Sequence, residues 1–389
     1  MSSSSRHSAN MALMPESRSE RRHRILARTG CAVALLILPV LVACPMLPAT
    51  RGGEANPVTI NHSQGFAFDG WIKAVGFSNG GRALIVGGCH PADSGACSDG
   101  LVQIWSLESA TLTTGAALPQ PVTALAVSRD GTKWVAGDST GRLIQSGAVS
   151  TSASKPHYQH HEITALAFSS DGKWVASGSR DPSFPLAFLE TASGGVIKVK
   201  KQFEPVTAVA FSPDSRELAV GTVAGGLEVW NFTGNSTAVV VAPTRNKGNS
   251  VSGVTFSSNG RFLAYGRQDG RVVVLDRESG HVLAQYKRAS SVNSLAFSPN
   301  DRFLAVGHDN GRVTLVNPFM AREFWSKRHI LPISGVAYAP DGTSLAVAAW
   351  RHVYLYRVVE GTEEAAQQTA SRLKQERVPA DSRVGPDAP

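Results

Sequence analysis

From about residue 57 to residue 358 the chain repeats one hydrophobic pattern. The copy Ala208-Val-Ala-Phe-Ser-Pro-Asp-Ser-Arg-Glu-Leu-Ala-Val-Gly221 shows its parts. Val-x-Phe-Ser alternates apolar and polar residues with period two, which predicts a strand with one packed face. Ser-Pro-Asp then supplies a tight turn, in which proline presets φ and aspartate bonds the backbone. Leu-Ala-Val-Gly is continuously apolar and short, the pattern of a strand buried on both faces. A second turn, as in Gln268-Asp269-Gly270-Arg271, leads into a third apolar run, Val272-Val-Val-Leu275. No long amphipathic helical stretch interrupts the series, so the fold class read from the pattern is all-β.

The aromatic or β-branched anchor of the first strand falls at Phe77, Val127, Phe168, Phe211, Phe256, Phe297 and Tyr338. Successive separations are 50, 41, 43, 45, 41 and 41 residues. A repeat of 40–45 residues carrying these motifs resembles the WD40 repeat, in which each copy is one four-stranded propeller blade. The Trp-Asp ending survives loosely, as Trp105-Ser106, Trp230-Asn231 and Leu275-Asp276, and the Gly-His element is essentially absent. The resemblance implies a seven-bladed β-propeller over residues 57–358. The seventh copy ends on its third strand, 352–358, while a spare strand precedes the first copy at residues 57–61 and continues to Phe68. The expectation is that this N-terminal strand completes the last blade and seals the ring.

Net charge changes the picture only once it is localised. The chain of 389 residues carries +8. Residues 1–43 hold six arginines against Glu16 and Glu20, so half of the excess sits in a leader. The remainder is spread thinly, without the basic stripe expected of a nucleic-acid footprint. Behind Arg21-Arg22-His23-Arg24 and Arg28, residues 32–43 form an uncharged apolar run of signal-peptide length. Positive charge before the run predicts export of everything after it. Leu41-Val42-Ala43-Cys44 resembles the lipobox of bacterial lipoproteins, which implies cleavage before Cys44 and acylation of its thiol and new amine. An uncleaved membrane anchor or a plain signal peptide is the alternative. The expected division is a leader over 1–43, a linker over 44–56, the propeller over 57–358 and a disordered tail over 359–389.

Candidate chemistry is sparse. Cys89 and Cys97 bracket an insertion in the second turn of the copy with the long spacing; in an exported protein, two thiols flanking a hairpin insertion predict a disulfide. A metal site at Cys89, His90 and Cys97 lacks an evident fourth ligand. Gly137-Asp138-Ser139-Thr140-Gly141 fits G-x-S-x-G, but the same column in other copies is a strand-to-strand turn rather than the strand-to-helix elbow that hydrolases need. His157, His160 and His161 lie between copies with no metal-binding spacing. No catalytic set, cofactor or metal is expected. The remaining candidates are turn residues after the middle strands: Arg180, Arg267, Gln268, His308, Trp350 and Arg351, a rim of types favoured at protein-binding hot spots. The reading is an exported, membrane-tethered, monomeric propeller acting as a non-catalytic interaction module in the cell envelope, facing the periplasm or the exterior. A propeller binding a ligand or doing chemistry in its central channel, and a structural envelope-assembly lipoprotein, are the rival readings.

Overall fold

A computed structural model describes residues 58–92, 97–146, 161–200, 204–231, 238–242 and 249–360. The leader, Cys44, the linker and the tail beyond Glu360 lie outside the described residues, as do His157 and His160. The described chain forms seven antiparallel sheets, six of four strands and one of three. It is an all-β, seven-bladed propeller. Among the described residues the helical content is a single 3-10 turn, Asn79–Gly81.

Blade 1 comprises Trp71–Ser78, Ala83–Pro91, Cys97–Ser106 and Leu112–Leu118. Blade 2 begins Val122–Val127, Trp134–Asp138 and Leu143–Gln145. Blade 3 is Ile163–Phe168, Trp174–Ser179, Leu186–Glu190 and Val196–Lys200. Blade 4 is Val206–Phe211, Glu217–Thr222, Leu227–Asn231 and Ala238–Ala242. Blade 5 is Val251–Phe256, Phe262–Arg267, Arg271–Asp276 and Val282–Lys287. Blade 6 is Val292–Phe297, Leu304–His308, Arg312–Val316 and Glu323–Arg328. Blade 7 is Ile333–Tyr338, Ser344–Ala349 and His352–Glu360, completed by the N-terminal strand Val58–Ala67.

The ring closure therefore stands as the sequence predicts, with the seal two residues longer at the C-terminal side. Val58 pairs with Glu360 and Ala67 with His352, with one bulge at Ser63. Val58 and Phe66, each 4% exposed, drop into two different inter-blade cores. One strand thus fastens blade 7 to blade 6 on one side and to blade 1 on the other.

The first turn of blades 2 to 6 is held by its own side chains. Ser212 Oγ donates to Asp214 and accepts the Glu217 amide at 2.9 Å, while Asp214 accepts the Arg216 amide at 3.1 Å. Ser128–Asp130, Ser169–Asp171, Ser257–Asn259 and Ser298–Asn300 repeat the arrangement. This explains the Ser-x-Asp/Asn pattern: serine satisfies a buried amide that the turn would orphan. The hydroxyl of Ser128, with amide and hydroxyl of Thr132, holds the Asp130 carboxyl below its usual range.

Blade contacts depend on a small residue near the end of each middle strand, a glycine in six blades and Ala348 in blade 7. A Cβ on Gly137, Gly178, Gly221 or Gly307 would stand 2.5–2.6 Å from Ile163, Val206, Val251 or Ile333 of the next blade. Gly266 meets Val292 in the same way. Glycine lets each wedge-shaped sheet approach its neighbour, and the fully buried β-branched residue fills the space.

At the blade 6–7 seam, His329, 9% exposed, meets Tyr356 OH through Nε2 at 3.2 Å, with Tyr354 4.3 Å away ring to ring. His62 of the closing strand faces the same two tyrosines. Burial, then Lys327 and His62, hold the His329 ring down to about 4. The unfolded chain therefore binds the extra proton first, and stability falls as pH drops from about 6.5 towards 4. We expect thermal unfolding at pH 5 to show a loss of about 2 kcal/mol from His329 relative to pH 7, and His329→Gln to reduce the slope, leaving the share of the buried His308, whose ring is also pushed down. The carboxylates with lowered values act in a separate, more acidic window, because their contribution fades only as pH falls through the lowered value. A slope unchanged in His329→Gln would assign the effect to other groups.

Candidate functional site

The two ends of the propeller differ in what builds them. One end carries the Ser-x-Asp/Asn turns and the turns joining third to outer strands. The other carries the turns joining second to third strands, which hold the predicted rim residues. There the structure separates the six candidates into two columns. The residue directly after the inter-blade glycine ends the middle strand and points into the wall: Asp138, Ser179, Thr222, Arg267, His308 and Ala349 are all buried. The residue one step further lies outside: Arg180, Gln268 and Asp309 are exposed, Val223 is 46% and Trp350 38% exposed, and Ser139 is half-buried.

Arg267 and His308 are therefore corrected. They belong to the wall column, because a one-residue step along a strand reverses the side-chain direction. Arg267, 2% exposed, donates from Nη2 to the Gly225 carbonyl of blade 4 at 2.9 Å and lies 5.4 Å from the Tyr265 ring. His308, 1% exposed, meets Thr314 Oγ1 at 3.4 Å, and burial foremost pushes its ring down. Both are packing groups that join strands. Val223 and Asp309 take their places on the rim; counting two residues from the glycine would have found them.

Arg180 faces Glu162 at 3.4 Å with its side chain 67% exposed, which leaves the pair solvent-screened. The blade 7 turn is the most distinctive. Trp350 adopts φ 51°, unusual for a bulky residue, and packs edge-to-face on Trp71 of blade 1 at 5.4 Å. Its carbonyl accepts the Ile72 amide at 2.6 Å, and the Arg351 carbonyl accepts the Phe68 amide at 2.8 Å. The seam thus holds two indoles and the half-exposed Arg351, 4.0 Å from Asp69. Gln268 is anchored by its backbone, to Ser250 through the amide and to Ser291 through the carbonyl.

The channel is organised by a feature that sequence reading passes over. Every inner strand is bulged near its start: Lys73, Thr123, Thr164, Thr207, Ser252, Asn293 and Ser334 fall at the seven register shifts. Thr123 donates to the Ile163 carbonyl, Thr164 to Val206 and Thr207 to Val251, each at 2.6 Å. Ser252 reaches Val292, and Asn293 reaches Ile333 at 3.0 Å. Each bond crosses from one blade to the next. The signal was the recurring hydroxyl residue between the valine and the alternating run. Six of these residues, all but Ser334, line a channel cavity of about 210 Å³.

The other candidates resolve locally. Asp138 Oδ1 accepts the Thr140 amide and hydroxyl and the Arg142 amide at 2.8–2.9 Å, so the G-x-S-x-G segment is a strand-to-strand turn and not an elbow. Cys89 and Cys97 stand at disulfide distance, their Cα atoms 5.6 Å apart, within the ordinary range. His161 is exposed. Among the described residues no three His, Cys, Asp or Glu side chains are grouped to hold a metal ion.

Comparison with known families fits this geometry. The family model of the WD domain, G-beta repeat, matches residues 153–184 and 279–317. The matched segments are of the WD40 kind. A second model, the anaphase-promoting complex subunit 4 WD40 domain, matches residues 209–291. Together these WD40 matches fall on blades 3 to 6, while blades 1, 2 and 7 carry the same bulged inner strands. Among curated proteins the chain is similar to "Target of rapamycin complex subunit wat1" of Schizosaccharomyces pombe (strain 972), 26% identical over 117 residues. That alignment covers 29% of this chain and 35% of the relative. The chain thus matches about a third of the relative's length.

Proposed function

We propose that the protein is an exported, membrane-tethered WD40 propeller that works as a non-catalytic protein-interaction scaffold, docking its partner on the rim formed by Arg180, Val223, Gln268, Trp350 and Arg351. The Trp350–Trp71 pair carries this reading. A bulky aromatic held in a left-handed turn and left 38% exposed contributes little to the core. Exposed aromatic and arginine side chains are the usual anchors of protein interfaces. The channel favours the scaffold over chemistry within it, because its hydroxyl groups are spent on blade-to-blade bonds. The relative's name describes a complex subunit, which agrees with a partner-binding role. The tether rests on the apolar leader and on Cys44.

The triple variant Arg180→Ala, Gln268→Ala, Trp350→Ala should keep the wild-type melting temperature within a few degrees, since exposed substitutions cost about 0.5 kcal/mol each. Partners captured by cross-linking and mass spectrometry should fall at least thirtyfold, the equivalent of about 2 kcal/mol lost at a hot spot. Arg267→Ala is the contrasting control, predicted to lower the melting temperature because it removes a buried inter-blade bond. A triple variant that captures the wild-type set would place the interface elsewhere.

A further inference from the structure

The end of the propeller opposite the rim carries its own surface. Among the described residues nine large apolar side chains are exposed, and six of them (Leu112, Val282, Leu283, Phe319, Met320 and Val359) lie at this end. The most prominent is the blade 6 turn after Val316, where Met320 is 77% exposed beside Phe319. Asn317 Oδ1 accepts the Phe319 and Met320 amides, both at 2.9 Å, and Ala321 takes φ 53°, so the turn is held open with its apolar tip outward. Phe319 packs at 4.6 Å on Phe262 of blade 5, and with Phe303 and Phe324 they line a cavity of about 380 Å³.

Cations flank the aromatic floor. The guanidinium groups of Arg261, Arg302 and Arg322 lie 5.3, 5.8 and 5.5 Å from the rings of Phe262, Phe303 and Phe324. Asp276 pairs with Arg261 at 3.3 Å, and Asp301 accepts the Ser258 and Asn259 amides. Both ends of the described chain also leave here: Val58 and Glu360 are paired with each other beyond the Tyr338–Leu345 turn. Thirteen residues separate Val58 from Cys44, a span of about 45 Å when extended.

We propose that this end of the propeller docks on a lipid bilayer, with Phe319 and Met320 inserting among the headgroups and Arg261, Arg302 and Arg322 meeting lipid phosphates. Apolar side chains at a turn tip, ringed by arginine, suit the bilayer boundary, where the tip sheds water while the cations remain hydrated. This orientation rests on the tethered reading above and points the Trp350 rim away from the membrane, towards a partner.

The test uses the full chain in a bacterial host that processes lipoproteins. Benzoylphenylalanine in place of Met320 should cross-link phospholipid at least about tenfold more than the same group in place of Val223 at the opposite end. Cys44→Ala reports separately on the tether, through loss of fatty-acid label and of membrane retention. Membrane-retained protein whose position 320 captures no more lipid than position 223 overturns the docking while the tether stands. Should the wild type be recovered unlabelled and soluble, the tether fails and vesicles decide the docking. Co-sedimentation with phosphatidylcholine vesicles, stronger with phosphatidylglycerol added, should fall roughly tenfold in Phe319→Ser, Met320→Glu. Equal co-sedimentation of variant and wild type, or none by either, overturns it. Phosphatidylglycerol dependence lost in Arg302→Gln, Arg322→Gln would assign the cations to headgroup phosphate; its persistence would remove them from the proposal.

Discussion

Removing residues 58–67 should abolish cooperative folding of the propeller. The deletion leaves the third strand of blade 7, His352–Glu360, as a nine-residue edge with its ladder unpaired. It also withdraws Val58 and Phe66 from two separate cores, so blade 7 loses its hold on blades 6 and 1 together. A single substitution shows the same dependence in graded form. Phe66→Ala, at 4% exposure, should cost about 3–4 kcal/mol, a fall in melting temperature of roughly 10 °C for a domain of this size. Denaturation followed by circular dichroism, with light scattering for the deletion, reads both. A deletion protein that melts like the wild type would mean that the ring closes by another route. The deletion should also aggregate, since an open, unpaired edge is a template for association.

Gly221→Val should be almost as damaging as losing the aromatic, although it adds atoms instead of removing them. The new Cβ would meet Val251 Cγ1 at 2.5 Å and its Cβ at 2.8 Å, and Val251 is fully buried. Relief requires blades 4 and 5 to separate, which strains the Thr207–Val251 bond on the channel side. A cost of about 3 kcal/mol is expected, at the upper end of the range for overpacked cores. Val251→Ala in the same chain should recover part of it, because it empties the space that the new side chain needs. A double variant no more stable than Gly221→Val alone would show that the clash is not the cause. The ring supplies its own control at blade 7, where Ala348 occupies the glycine column.

Much of this architecture was legible because its determinants are local. Period-two alternation, the Ser-x-Asp/Asn turn and the apolar run ending in glycine act within about fourteen residues, and they recur seven times in phase. Seven copies with a missing last strand and a spare first one leave closure by residues 58–67 as the arrangement without open edges. The cysteine pair was readable for the same reason, since the two thiols lie eight residues apart across one hairpin.

The rim was only half legible. Arg180, Gln268, Trp350 and Arg351 lie at exposed turns, whereas Arg267 and His308 are sealed in the wall. Composition favours all six alike, and their direction is decided by register, which depends on the bulge near the start of each inner strand. The hydroxyl chain around the channel was equally hidden, because its partners lie about forty residues away on the next blade. Sequence alone determined the fold class, the number of blades and the strand that closes them, since each follows from patterns inside one repeat or from counting repeats. Tertiary structure alone decided which side chains face water, which face the next blade and which end gathers the exposed apolar residues, because those depend on contacts between repeats that no single repeat contains.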